Sequence, residues 1–196
     1  MQRIVWVLGC ALFGAAVLCT GTPARADDKN KEMEAYMKAA TPGPQHQLLA
    51  TLAGSWTFTA KMWPAPGAPE MDGSGSVERK MIMGGRYLRE EAEGTFGGMK
   101  MQGLGLNGYD NTQQKFIGSW VDSMGTGMST SVGTADSTGK VITYKRTEFD
   151  PLTGTKAEGR DVLRIEGNDR QVLEFNRVLP GGKEFKIMEI VYTRKK

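Results

Sequence analysis

The sequence predicts an all-β protein, an antiparallel up-and-down barrel of about ten strands with a short helix in front of it. Three observations carry this. From Ser55 onward the chain breaks into short runs with the two-residue alternation of strands. The breaks carry turn residues at hairpin length. No helical periodicity interrupts them, which argues for a meander rather than alternating β-α units. A sheet of that many strands curls, and closing it removes its exposed edges.

The expected strands are Ser55–Trp63, Ser74–Met83, Arg86–Phe96, Met99–Tyr109 and Lys115–Asp122. They continue with Met128–Ala135, Lys140–Phe149, Lys156–Glu166, Gln171–Leu179 and Glu184–Thr193. Between them lie Pro64–Pro69, Gly84-Gly85, Gly97-Gly98, Ser137-Thr138-Gly139, Pro151–Gly154, Asn168-Asp169 and Pro180-Gly181-Gly182. Gly73-Ser74-Gly75-Ser76 reads as a loop entering a strand. Ahead of the barrel, Gln45–Ala53 places Leu48, Leu49 and Leu52 on one helical face, and Gly54 stops it. Residues 27–44 are a polar linker or frayed helix, ending at Thr41-Pro42-Gly43-Pro44. The barrel domain is expected over 45–196.

Residues 1–26 read as a secretory signal peptide. Arg3 provides the positive start, Ile4–Thr20 the apolar stretch, and Ala24-Arg25-Ala26 the small-residue cleavage site. The apolar run is short for a membrane span of roughly 20 residues, so no retained span is expected. Cleavage near Ala26 predicts a periplasmic or secreted protein. It also removes both cysteines, Cys10 and Cys19, leaving neither disulfide nor thiolate. A body of about 170 residues can build its own core without disulfides.

Charge excludes one class of partner. The chain carries 25 Lys and Arg against 22 Asp and Glu, and losing Arg3 and Arg25 brings it closer to balance. That leaves no electrostatic footprint for nucleic acid.

Candidate chemistry is sparse. The single histidine, His46, precedes the short helix and has no second His or Cys to complete a zinc set. No nucleophile-elbow or phosphate-loop pattern occurs. No cofactor or metal site and no catalytic residue is predicted. Methionines at Met81 and Met83, Met99 and Met101, and Met124 and Met128 lie in or beside adjacent strands. Thioethers select soft Cu(I), but methionine also fills irregular apolar space. The polar and aromatic residues best placed for a ligand are Trp120 and Asp122, which share one strand face, with Tyr109, Arg89 and Glu91 on neighbouring strands. Imperfect alternation, as at Tyr87–Glu93, is compatible with a partly polar interior. The expected function is non-catalytic binding of a small, partly apolar ligand inside the barrel. An enzyme using Asp122 or Glu91 as a base and a Met-rich copper binder are the alternatives.

Gly54-Ser55-Trp56 resembles the opening motif of the lipocalin and fatty-acid-binding (calycin) superfamily. That resemblance implies a basic residue from the last strand packed on the Trp, a role Arg194 is placed to fill. A wider resemblance rests on Gly43-Pro44-Gln45-His46, Lys61–Gly67, Met83–Leu88, Gly108-Tyr109-Asp110, Trp120–Met124 and Met188–Arg194. Together these segments resemble the bacterial domain-of-unknown-function family 1579. The resemblance implies a secreted, lipocalin-like β protein and supplies no catalytic residues.

Overall fold

The computed structural model describes residues 26–150, 153–179 and 181–196. The expected signal peptide, with Cys10 and Cys19, lies outside them but for Ala26. The chain divides into two units after Tyr36, and the second holds the whole barrel. Helix α1 spans Ala26–Ala40 and helix α2 spans Pro44–Thr51. The ten strands follow in order: β1 (Gly54–Met62), β2 (Met71–Ile82), β3 (Tyr87–Phe96), β4 (Met99–Asp110), β5 (Lys115–Asp122), β6 (Ser129–Ala135), β7 (Val141–Phe149), β8 (Lys156–Ile165), β9 (Arg170–Val178) and β10 (Glu184–Arg194). Each pairs antiparallel with its chain neighbours, and β1 pairs with β10, so the sheet closes into a barrel. No edge strand is left to recruit another chain.

The strands start and end within a few residues of the expected bounds. β2 departs most, beginning at Met71 opposite Met62. The Gly73–Ser76 stretch is therefore strand and not loop. Its glycines lie against the Phe58 and Phe96 rings, where a side chain of their own would clash.

Helix α2 closes one end of the barrel. Its Leu49, together with Leu52, packs on Leu88, Phe116, Ile142 and Leu163, which come from the adjoining ends of β3, β5, β7 and β8. The Pro44 ring suits the first helical turn, where its missing N–H is not needed. His46 sits buried in that turn and accepts the Gly43 N–H on Nδ1 at 3.0 Å. It is thus a buried capping group. The indole of Trp56, wholly buried, donates to the Leu52 carbonyl at 3.1 Å and ties the plug to β1.

Arg194 locks the same end from outside. Its guanidinium lies 4.1 Å from the centre of the Trp56 ring. It also donates to the carbonyls of Thr51, Ala53 and Asn168 at 2.7–2.8 Å. Gly54 explains the Gly-x-Trp motif physically. Its φ of +119° disfavours other residues, and a Cβ there would meet Arg194 Nη1.

Asn111, in the β4–β5 turn, donates to the carbonyls of Lys38, Ala39 and Thr41, and Arg86 to that of Ala40. The last turn of α1 and the linker to α2 are fastened there. Among the described residues no helix is long and apolar enough to cross a membrane.

Candidate functional site: the barrel cavity

Away from the plug, the barrel encloses a cavity of about 370 Å³. Its size follows from what the strands turn inward. Near the mouth the wall is apolar and aromatic, with Phe58, Met62, Phe96, Met101, Trp120, Phe175 and Met188 among its residues. Toward the plug it runs onto Leu49, Leu52, Leu88 and Leu163. Charged groups occupy the waist between these two apolar zones.

Two charged clusters lie there. In the first, Arg79 on β2 donates to Glu90 on β3 at 2.5 Å and to Gln171 on β9 at 2.7 Å. Its guanidinium rests 4.3 Å from the centre of the Tyr192 ring. In the second, Arg146 on β7 donates through Nε to Asp161 on β8 at 2.9 Å and pairs through Nη1 with Glu148. Arg146 and Asp161 are both buried. Asp161 Oδ2 accepts the Arg146 Nε–H, while Oδ1 is sealed off without a hydrogen-bond partner of its own. Burial pushes the Asp161 carboxyl up to about 6, an effect only partly offset by Arg146 and the Asn176 amide. Burial likewise raises the Tyr144 and Tyr192 hydroxyls, so both stay neutral.

Trp120 and Asp122 are brought together on the cavity wall. The Trp120 indole N–H donates to Asp122 Oδ2 at 2.8 Å, and the Met124 amide donates to Oδ1 at 2.9 Å. Asp122 therefore orients the indole and shapes the turn after β5. Gly103 and Gly105, across the sheet on β4, leave the ring its space, since a Cβ on Gly103 would run into it.

The other three expected residues do not join them. Tyr109 faces inward at the plugged end, edge-on to His46 at 5.9 Å and to Phe116 at 5.0 Å between ring centres. It packs in the closed end rather than against the cavity. Arg89 and Glu91 stand on the outer surface of β3, paired with each other at 3.1 Å. The correction has a simple cause: Leu88 and Ala92 take the inner face, and Glu90 goes in with them. As bases, both named acids are poorly placed. Glu91 is outside the barrel, and each Asp122 oxygen already accepts a hydrogen bond.

Arg79, Arg146 and Asp161 escaped the sequence reading. A signal for them existed. Each lies two residues from apolar or aromatic neighbours on its own strand face, as in Val77-x-Arg79-x-Met81 and Ile142-x-Tyr144-x-Arg146. A charge inside an apolar row is a buried charge in a barrel whose other face is wet.

The methionines sort by the same rule. Met83, Met99, Met124 and Met128 are exposed, whereas Met101 is buried. Met62 stands directly opposite Met188 on β10 and Met71 on β2, which puts three thioethers on one face of three adjoining strands. Among the described residues no group of three or more His, Cys, Asp and Glu side chains is arranged to hold a metal ion.

Solved structures of similar shape are barrels. The crystal structure of Rv2717c from M. tuberculosis superimposes with a TM-score of 0.60 at 17% identity, covering 80% of this chain and all of that one. The S-type phycobiliprotein lyase CPES from Guillardia theta gives a TM-score of 0.55 at 11% identity, over 82% of this chain and 97% of its own. At those identities the likeness is one of fold. No curated protein sequence matches. Residues 41–194 match the family model described as "Protein of unknown function (DUF1579)", and the chain belongs to that family.

Proposed function

We propose that this protein is an exported carrier or receptor that binds a small, partly apolar molecule in the barrel interior without transforming it. One observation carries the reading: an interior cavity of about 370 Å³ with an apolar, aromatic outer zone and buried polar groups at its waist. Ligand sites commonly have about that volume and that mixture of walls. The thioethers of Met62, Met101 and Met188 supply an adaptable lining, because methionine adjusts its shape cheaply. Export is supported by Arg3, the apolar stretch Ile4–Thr20 and the Ala24-Arg25-Ala26 site. It predicts a mature chain that begins at Asp27 when the protein is recovered from the producing cell.

Native mass spectrometry of that mature protein is the test. A one-to-one adduct of a small organic molecule, lost on denaturation, is the expected result. Bare protein that also fails to take up a neutral apolar dye would refute the reading.

The row Met188–Met62–Met71 favours one second reading, a soft-metal site at the mouth. It predicts a Cu(I) adduct in the same spectrum, abolished by Met62→Leu. A metal-free spectrum after Cu(I) loading would remove it.

A further inference from the structure

Helix α2 shuts one end of the barrel, so the open end lies where β1, β3, β5, β7 and β9 finish. The two ends differ in surface chemistry. At the open end Met99, Met124, Met128 and Phe149 are 47–72% exposed. At the plugged end, among the described residues, Met83 is the one large apolar side chain exposed on a hairpin turn. The four at the open end are not scattered. Met99 opens β4, Met124 and Met128 lie in the connection from β5 to β6, and Phe149 ends β7. They therefore occupy one sector of the rim across four adjoining strands. Met124 also lines the cavity, which makes the patch continuous with the entrance. Single exposed apolar side chains need no explanation, but a row of them beside an opening marks an interaction surface.

Charge indicates what covers it. Lys100 follows Met99, and Lys156 on β8 is registered directly opposite Phe149. Both are exposed, as is Lys183 in the turn before β10, and among the described residues none of the three makes an ion pair. The acids of the rim are matched by contrast. Glu70 pairs with Lys61, which Asp72 also faces across the sheet, while Asp150 pairs with Arg177 and Glu184 with Arg160. Apolar side chains interleaved with free lysines suit the surface of a bilayer that holds anionic lipid. The side chains bury among the headgroups, and the ammonium groups meet the phosphates.

We propose that this sector of the rim docks on a bilayer containing anionic phospholipid, with Met128 and Phe149 among the headgroups and Lys100 and Lys156 on the phosphates. The docking goes beyond the cavity-binding reading and does not depend on it. Together the two set the open end of a ligand-binding barrel against the phase in which an apolar ligand collects.

The experiment is co-sedimentation of the mature protein with sucrose-loaded vesicles, made of phosphatidylcholine alone or with about one lipid in three as phosphatidylglycerol. Three unpaired lysines should favour the anionic vesicles about a hundredfold, and about 0.5 M salt should erase the preference. Lys100→Gln with Lys156→Gln should cut it at least about tenfold. Met128→Ser with Phe149→Ser should weaken binding to the anionic vesicles at least about tenfold, through lost apolar burial. None of these four residues lines the cavity, so Nile red uptake without vesicles should be the same in both paired variants, with circular dichroism showing that they are folded. Wild type that stays in the supernatant, or that binds neutral and anionic vesicles alike, would overturn the docking and leave the cavity reading untouched. Binding that survives both paired substitutions would overturn its placement on the rim and move it to the exposed Met33, Tyr36 and Met37 of α1 or to the outer wall. Dimers that Phe149→Ser dissociates, in protein that ignores vesicles, would overturn it in favour of a second copy of the chain. Vesicle binding as predicted, in protein that takes up no Nile red, would uphold the docking and refute the cavity reading alone.

Discussion

Arg194 joins three segments that are far apart in the chain. It stacks on Trp56 and donates to carbonyls at Thr51, Ala53 and Asn168. Arg194→Ala removes the stacking and leaves those carbonyls without their donor. It should cost about 2–4 kcal/mol in a urea titration. Arg194→Lys should recover only part, because an ammonium cannot stack its charge flat on the ring and reach all three carbonyls. Asp161 makes the opposite kind of contribution. Folding raises its carboxyl to about 6, so the native state holds that proton more tightly than the unfolded chain. The associated cost is absent below about pH 4, grows as pH rises through 4 to 6, and is complete above, on the order of 3 kcal/mol. Asp161→Asn cannot ionise. Its stability relative to wild type should therefore rise between pH 4 and pH 7, and parallel curves would contradict the buried-carboxylate assignment.

Among the elements, α2 is the part whose loss would open the cavity from below. Leu49 is 1% exposed beneath it, and Leu49→Ala should cost about 2–5 kcal/mol. The helix also has its own pH dependence. His46 accepts the Gly43 N–H through Nδ1, so the cap needs the neutral ring, and burial lowers its pKa. That stabilisation is present above about 6.5, the ordinary value for histidine, and is lost as pH falls through the lowered folded value. The Trp56 indole N–H, bonded to the Leu52 carbonyl, reports on it. Its protection against hydrogen exchange, relative to the intrinsic rate at each pH, should fall in acid, and His46→Leu should abolish that pH dependence.

The strands were largely legible in the chain because hairpin turns carry Gly, Pro, Asn and Asp for steric reasons that do not depend on the rest of the fold. Which side of each strand faces inward was less legible. Trp120 and Asp122 were found together because a two-residue spacing shares a face whichever way the strand turns. Arg89 and Glu91 were misplaced because only barrel closure decides that Leu88 and Ala92 point in. The Arg146–Asp161 pair lies on two strands, and its meeting depends on register, which no single strand encodes.

At the scale of the whole molecule, the central claim is that the barrel binds ligand inside and not on its outer wall. The outer wall is a real competitor for any apolar probe, since Leu104, Leu106 and Val132 are exposed there. Ser129 lies on the cavity wall opposite Trp120 on β5. Ser129→Trp should fill the cavity and leave those outer residues untouched. The decisive measurement is a Nile red titration of wild type and Ser129→Trp, with circular dichroism to show that both are folded. Saturable one-to-one binding by wild type, weakened at least about tenfold in the folded variant, is the predicted result. Equal binding by the two proteins would place the dye on the outer wall and contradict the account.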